Sequence, residues 1–327
     1  MKLSILGAGS WGTALALHAA RAGLEPVLWG RDAATIEAIA RDRRHPRRLP
    51  GIALPEQVQL TGDLAKALEH ADTLVLAVPC ASMRALLGEA RSTPPRHRYL
   101  STAKGLDPET GQRMSELIAE SCPGAAVAAL SGPTFAEGVA RGDPSAAVVA
   151  EDHGAFALEV QYRFSTGAFR LYTSEDLVGV ELCGALKNVV AIAAGIVSGL
   201  GFGHNTLAAL VTRGLAEIER LVRGGGGKAQ TVHGLAGVGD LLLTCTGQQS
   251  RNRRVGEEIG RGRKLSEVLL EMPEVAEGAR TCLAVPTLAA RSGVEAPIAE
   301  AVVRVLYENV PPREAIERLM TRALKAE

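Results

Sequence analysis

Lys187 lies within the run LCGALKNVVAIAAGIVSG, where nearly every neighbour is apolar. Wound as a helix, the run places Cys183, Gly184, Val190 and Ala191 three and four residues away, and none of them can pair with an ammonium. A lysine buried there is costly unless an anionic ligand or a remote acid meets it. Burial also lowers its pKa, which suits a lysine that hands over a proton. The competing account is a side chain that snorkels to water and does no chemistry. Further along, GLAGVGDLLLTCTGQQSRNRRVG sets Asp240 after a glycine-rich turn, and Ser250, Arg251 and Asn252 at a helix start. Free backbone N–H groups beside Ser, Arg and Asn make a site for a phosphate, although a capped surface helix explains the same composition.

The chain begins MKLSILGAGSWGTALALHAARAG, and Gly7, Gly9 and Gly12 spell G-x-G-x-x-G between an apolar burst and an Ala/Leu stretch. The order strand, tight turn, helix lets backbone approach a pyrophosphate, which then rests on the N–H groups of the helix start. Gly7 makes the turn, Gly9 gives clearance and Gly12 permits close helix packing, with Ser10 and Trp11 lining the dinucleotide. Gly30, Arg31 and Asp32 follow the next strand. An acidic residue there takes the ribose hydroxyls of NAD, whereas an arginine accommodates the 2′-phosphate of NADP. Arg31 therefore favours NADP and Asp32 keeps NAD acceptable; the bland alternative is an Arg31 that is merely solvated.

These residues need elements to position them. The runs KLSIL, PVLWG, QVQL, TLVLAV, RYLST, AVAAL, SAAVV and FRLYT read as strands, with helical stretches at 13–22, 33–41, 63–70, 81–91, 112–121 and 153–164. Strands that are apolar throughout and alternate with helices predict a mostly parallel sheet covered on both faces. After Ser174 the strands stop, and 175–197, 206–222, 240–244, 252–260, 265–270, 282–292, 297–307 and 311–325 read as helices, with Pro286 weakening one of them. The expectation is an α/β, Rossmann-type dinucleotide domain over residues 1–176 and an all-α substrate and catalytic domain over residues 177–327, closely packed with a cleft between them.

Composition removes other classes of function. Thirty-six basic and 36 acidic residues cancel, so no net field draws nucleic acid or a membrane surface, and 3% aromatics are too few to stack bases. Five scattered cysteines without a C-x-x-C suggest neither a disulfide framework nor a metal knuckle, and point to a reducing cytoplasm. The start lacks the layout of a signal peptide. Residues 189–203, the most apolar stretch, read as a buried core helix that is too short and glycine-rich to span a membrane. Four glycines at 224–227 before Lys228 mimic a phosphate loop, but Ala229 stands where Ser or Thr must hold magnesium, so a helix end is expected. The segment RDRRHPRRLPG at 41–51 holds five arginines and reads as a flexible surface loop, or else as an anion contact.

Taken together, GAGSWGTALA, AVPC, STAKGL, LSGPTFAEGVA, LCGALKNVVAIAAGIVSGLGFG, TRGLAEI, GLAGVGDLLLTCTGQQSRNRRVG and AEG at Ala276 resemble, in order and over nearly the whole chain, the soluble bacterial-type NAD(P)-dependent glycerol-3-phosphate dehydrogenases. The resemblance implies reversible reduction of dihydroxyacetone phosphate to sn-glycerol 3-phosphate with NADPH or NADH and no metal. It also implies supply of glycerophospholipid synthesis, a cytoplasmic location and a homodimer. Under it, Lys187 is the general acid/base, and Lys104, Gly132, Thr134, Asp240, Ser250, Arg251 and Asn252 line the substrate. Ser10, Trp11, Arg31, Lys104, Ala136, Arg251, Val275 and Glu277, joined by Asp32, contact the dinucleotide. Thr134 stands where the family often has Ser, and either hydroxyl donates the same bond. A dehydrogenase of the same plan acting on a β-hydroxy acid would need a carboxylate clamp, for which the 250–252 group is less suited than for phosphate. A cofactor-sensing regulator would have no need of an unpaired lysine at 187.

Overall fold

A computed structural model describes residues 1–90, 97–272 and 276–324. The chain divides into two compact units, Met1–Ala103 with Arg113–Val180, and Lys104–Gln112 with Glu181–Glu327.

The first unit alternates strands and helices: β1 (Lys2–Leu6), α1 (Ser10–Arg21), β2 (Glu25–Trp29), α2 (Ala33–Asp42), β3 (Gln59–Thr61), α3 (Leu64–His70), β4 (Thr73–Leu76) and α4 (Cys80–Ala90). It continues with β5 (Arg98–Ser101), α5 (Met114–Ser121), β6 (Val127–Ser131), α6 (Ala136–Arg141), β7 (Ser145–Ala150), α7 (Phe156–Phe164) and β8 (Phe169–Ser174). The strands form one sheet in the order β3-β2-β1-β4-β5-β6-β7-β8. Neighbours run parallel except β6 and β7, so the last two strands point the other way. Apolar strand sequences are explained by burial on both faces: Leu3 and Ile5 enter one core with Leu15, Leu28 and Phe164, while Leu6 enters another with Trp29, Leu74 and Met83. Strand order reverses between β1 and β4, where Leu6 is in register with Leu76 and the chain passes into Gly7. An open α/β sheet binds its ligand at such a reversal, beyond the carboxyl ends of the strands.

The second unit is helical among its described residues: α8 (Leu177–Gly199, whose first turn belongs to the first unit), α9 (His204–Gly224), α10 (Ala229–Val232), a π-helical turn at Leu235–Gly239, α11 (Asp240–Thr246) and α12 (Arg251–Gly260). Then follow α13 (Leu265–Glu271), α14 (Glu277–Ser292), α15 (Pro297–Tyr307) and α16 (Pro312–Met320). One expectation is corrected. The apolar run is part of a 23-residue helix, long enough to span a membrane by length and composition, yet its most apolar window is wholly buried within the protein. The glycines at 224–227 end α9, with Gly225 as its cap, and are not a phosphate loop. The helix read from 282 starts at Glu277 and contains Pro286, and the final helix stops at Met320; Arg91 and Lys325, expected helix ends, lie outside the described residues.

Helices α8 and α12 meet through glycines. A Cβ on Gly195 would stand 2.0 Å from the Arg253 carbonyl oxygen, and one on Gly256 would stand 2.0 Å from that of Ile192. Gly199 and Gly260 repeat the contact one turn on, at 2.2 Å from Glu257 O and 2.5 Å from Ile196 O. With glycine at four facing positions the two backbones touch directly, which fixes the start of α12 relative to the lysine on α8.

Candidate active site

Lys187 sits in the middle of α8 with 5% of its surface exposed. The remote acid is Asp240, the first residue of α11, itself 1% exposed. Lys187 Nζ donates to Asp240 Oδ1 at 2.8 Å and to Thr244 Oγ1 at 2.7 Å. Lys104 Nζ donates to the other carboxylate oxygen at 2.8 Å. The reading of an unpaired lysine is therefore corrected: the helix supplies no partner, but a residue 53 positions away does. Thr244 is oriented by donating to the Asp240 carbonyl at 2.6 Å, which turns an oxygen lone pair toward Lys187.

One carboxylate thus bridges two ammonium groups. Burial lowers the Lys187 pKa to about 8, with Asp240 opposing the shift and the Lys104 charge adding to it. Burial pushes the Asp240 carboxyl up, but the two lysines outweigh it and hold it below its ordinary value. The local excess is one positive charge, suited to an oxygen that gains negative charge during reaction.

A second layer of amides ties this cluster down. Asn188, beside Lys187, donates to the Lys104 carbonyl at 2.7 Å and accepts from Asn252 Nδ2 at 2.8 Å. Asn252 Oδ1 accepts the Gly278 N–H at 2.9 Å, so the Asn252 amide is engaged by protein on both sides. Ser250 caps α12 by accepting the Arg253 N–H at 3.2 Å, and Arg251 is exposed in the first turn. Glu277 opens α14, while Val275 lies outside the described residues. Sequence reasoning missed Thr244 and Asn188; the available signals were a hydroxyl one helical turn after Asp240 and an amide adjoining Lys187.

The remaining residues lie in the first unit. Gly7 adopts φ 125°, and a Cβ there would meet the Ala77 carbonyl at 2.5 Å. A Cβ on Gly12 would stand 1.9 Å from the Gly7 oxygen, whereas Gly9 has open space around it. That tight turn with clearance at its second glycine, leading into the N-terminus of α1, fits the pyrophosphate of a dinucleotide. Ser10 and Trp11 form the first turn of α1, and the buried Trp11 indole N–H finds no acceptor among the described residues. Asp32 precedes α2 at the N-cap position in extended conformation, and Arg31 lies 3.6 Å from Glu89. Gly132 follows β6 with φ 144°, its missing Cβ making room for Ala147 at 2.8 Å. Thr134 Oγ1 donates to the Gly132 carbonyl at 3.2 Å, and Ala136 begins α6. The basic segment at 41–51, expected as a loose surface loop, is attached to the glycine turn through His45. Among the described residues there is no cluster of His, Cys, Asp and Glu able to hold a metal ion.

Comparison with known proteins gives one answer along the whole chain. Residues 2–157 match the family described as NAD-dependent glycerol-3-phosphate dehydrogenase N-terminus, and residues 176–317 match its C-terminus. The chain is 47% identical over 335 residues to glycerol-3-phosphate dehydrogenase [NAD(P)+] of Anaeromyxobacter sp. (strain K), covering 100% of both chains. It is 46% identical over 329 residues to that of Aromatoleum aromaticum, again covering 100% of each. A crystal structure of glycerol-3-phosphate dehydrogenase from Coxiella burnetii superposes with a TM-score of 0.94 at 37% identity, covering 98% of this chain and 99% of that one. The two lysines on one carboxylate, the glycine turn at the strand reversal and these matches agree: the chain belongs to the NAD-dependent glycerol-3-phosphate dehydrogenase family, oxidoreductases that use NAD(P).

Proposed function

We propose that this protein reduces dihydroxyacetone phosphate to sn-glycerol 3-phosphate, reversibly, with NADPH preferred and NADH accepted. The carrying observation is the buried Asp240 carboxylate shared by Lys187 and Lys104. In this reading the first unit holds the dinucleotide on Gly7, Gly9, Ser10, Trp11 and Gly12, with Arg31 at the adenosine end and Asp32, Ala136, Val275 and Glu277 as further contacts. Bound there, the reduced nicotinamide supplies hydride.

The substrate phosphate is held by Arg251 and the first turn of α12, with Ser250 and Asn252, while Gly132 and Thr134 contact the rest of the substrate. Lys187 and Lys104 stabilise the negative charge that develops on the ketone oxygen, and Lys187 then protonates it. Asp240 keeps Lys187 charged against the pull of burial and, with Thr244, aims its ammonium. The relatives named glycerol-3-phosphate dehydrogenase [NAD(P)+] support this reading. We further propose a cytoplasmic homodimer that supplies glycerophospholipid synthesis.

The test is to follow NADPH and NADH absorbance with dihydroxyacetone phosphate and with unphosphorylated dihydroxyacetone. Oxidation of the dinucleotide with the phosphate ester and little with the free ketone is expected, because the remote phosphate orients the reacting carbonyl. Absence of turnover with the ester overturns the proposal.

A further inference from the structure

The basic segment after α2 is a built structure. The Arg43 guanidinium donates to the carbonyls of Leu54, Pro55 and Val58. His45 is buried, and its ring bridges two backbones: Nδ1 accepts the Arg47 N–H at 3.2 Å, and Nε2 lies 3.0 Å from the carbonyl of Ala8, between Gly7 and Gly9. Since Nδ1 is the acceptor, Nε2 carries the proton and donates to Ala8. Two residues beyond Arg47, Leu49 is buried with Ala14, Leu17 and Ala140. The Arg47 backbone is thus anchored on both sides.

From that anchorage its side chain reaches the end of β2. Arg47 Nη2 lies 3.3 Å from Thr35 Oγ1 and 3.5 Å from Asp32 Oδ2, and Thr35 Oγ1 donates to the same carboxylate oxygen at 2.5 Å. The Thr35 hydrogen bond above all, with Arg47 as a lesser contributor, holds the Asp32 carboxyl below its ordinary pKa. A bare carboxylate at this place selects the ribose hydroxyls of NAD and repels a 2′-phosphate. Here it is engaged by Thr35 and countered by a guanidinium. Side-chain exposures of 73% for Arg47 and 59% for Asp32 mean that the pair adds little to stability and is open to a ligand. Burial, and then the Arg47 charge, lower the pKa of neighbouring Arg48.

We infer that Arg47 is a specificity-determining residue, which neutralises Asp32 and meets the 2′-phosphate, so that NADPH is taken ahead of NADH. This rests on the dinucleotide reading of the first unit. The experiment is fluorescence titration of the full protein with NADPH and with NADH. Arg47→Gln should raise the NADPH Kd by about tenfold or more, the lower end for one charge-assisted contact, while the NADH Kd changes far less. Arg47→Lys should keep most of the preference. Adding Asp32→Asn to Arg47→Gln should recover part of the NADPH affinity, because the exposed carboxylate no longer repels the phosphate. Equal changes for both dinucleotides in Arg47→Gln, or a double variant no better than the single one, overturn the inference while leaving the dehydrogenase reading intact. A parent protein that binds neither dinucleotide overturns both.

Discussion

Under the proposed mechanism, a single buried ammonium should set the pH behaviour of the reaction. The Lys187 pKa is lowered to about 8, and in the proposed reaction its charged form is the acid for ketone reduction. The reduction kcat should therefore fall as pH rises through about 8, and the reverse oxidation should gain over the same interval. Asp240→Asn removes the carboxylate that supports the charge, so the falling limb should move to lower pH; a pH profile at saturating substrate checks both. Lys187→Ala and Lys187→Met should each cut kcat by roughly 10² to 10⁴ with NADPH binding and the circular dichroism spectrum retained. A kcat within about threefold of the parent in a folded variant would move the acid role to Lys104. The need for a partner to Lys187 was legible from its own helix. Its identity was suggested only by the family resemblance, which brings Asp240 and Lys104 to the same substrate, because the two lie 53 and 83 positions away from Lys187 in the chain and nothing local marks the convergence. Thr244 reads from sequence as an ordinary core threonine bonded back to its own helix, and it makes that bond as well.

At the scale of elements, the α8–α12 contact decides where the first turn of α12 lies. Gly256→Ala would drive a methyl to 2.0 Å from a backbone oxygen, with no flexible side chain to yield. Such overpacking costs about 1–3 kcal/mol, occasionally more, and should show as a lower Tm. Because the proposed phosphate site is the start of α12, the KM for dihydroxyacetone phosphate should rise more than that for NADPH. Gly88→Ala makes the contrast: this exposed position in α4 has open space around it, and the change should stabilise by about 0.5–1 kcal/mol in denaturant titration. The eight strands and the long helices were readable because burial on both sheet faces, or along one helical stripe, leaves a periodic imprint. The short α6 and α10 and the π-helical turn were missed, since four to six residues hold too little of a period and Gly237 sits there because a Cβ would stand 1.9 Å from Val232 O. The paired spacings GIVSG and GEEIG were visible too, but not which helix would face which.

For the whole molecule, stability should carry a pH signature of its own. Glu217 of α9 is buried and accepts the N–H groups of Ile298 and Ala299 at 2.8 and 2.9 Å, capping α15 from outside. Burial raises its pKa to about 7 against an ordinary 4.5, despite those two bonds and the nearby Arg220, with Glu300 adding to the rise. The folded pKa is above the unfolded one, so the stabilisation is complete below about 4.5 and is lost as pH rises through about 7. Scanning calorimetry should find Tm declining between those values, and Glu217→Gln should flatten the decline. The division of the chain was legible only in part: the end of the strands marks the main transition, but nothing in STAKGL announces that Lys104–Gln112 belongs with the helices. That excursion has a consequence for heredity. The polypeptide passes from one unit to the other three times, and the two lysines on Asp240 are encoded on opposite sides of the last three strands of the sheet. A genetic crossover between two diverged relatives anywhere from codon 105 to codon 186 would draw Lys104 from one parent, and Lys187 with Asp240 from the other. Offspring of such an exchange keep the buried triad only when both parents set its geometry alike, so the halves of this gene are bound to drift together.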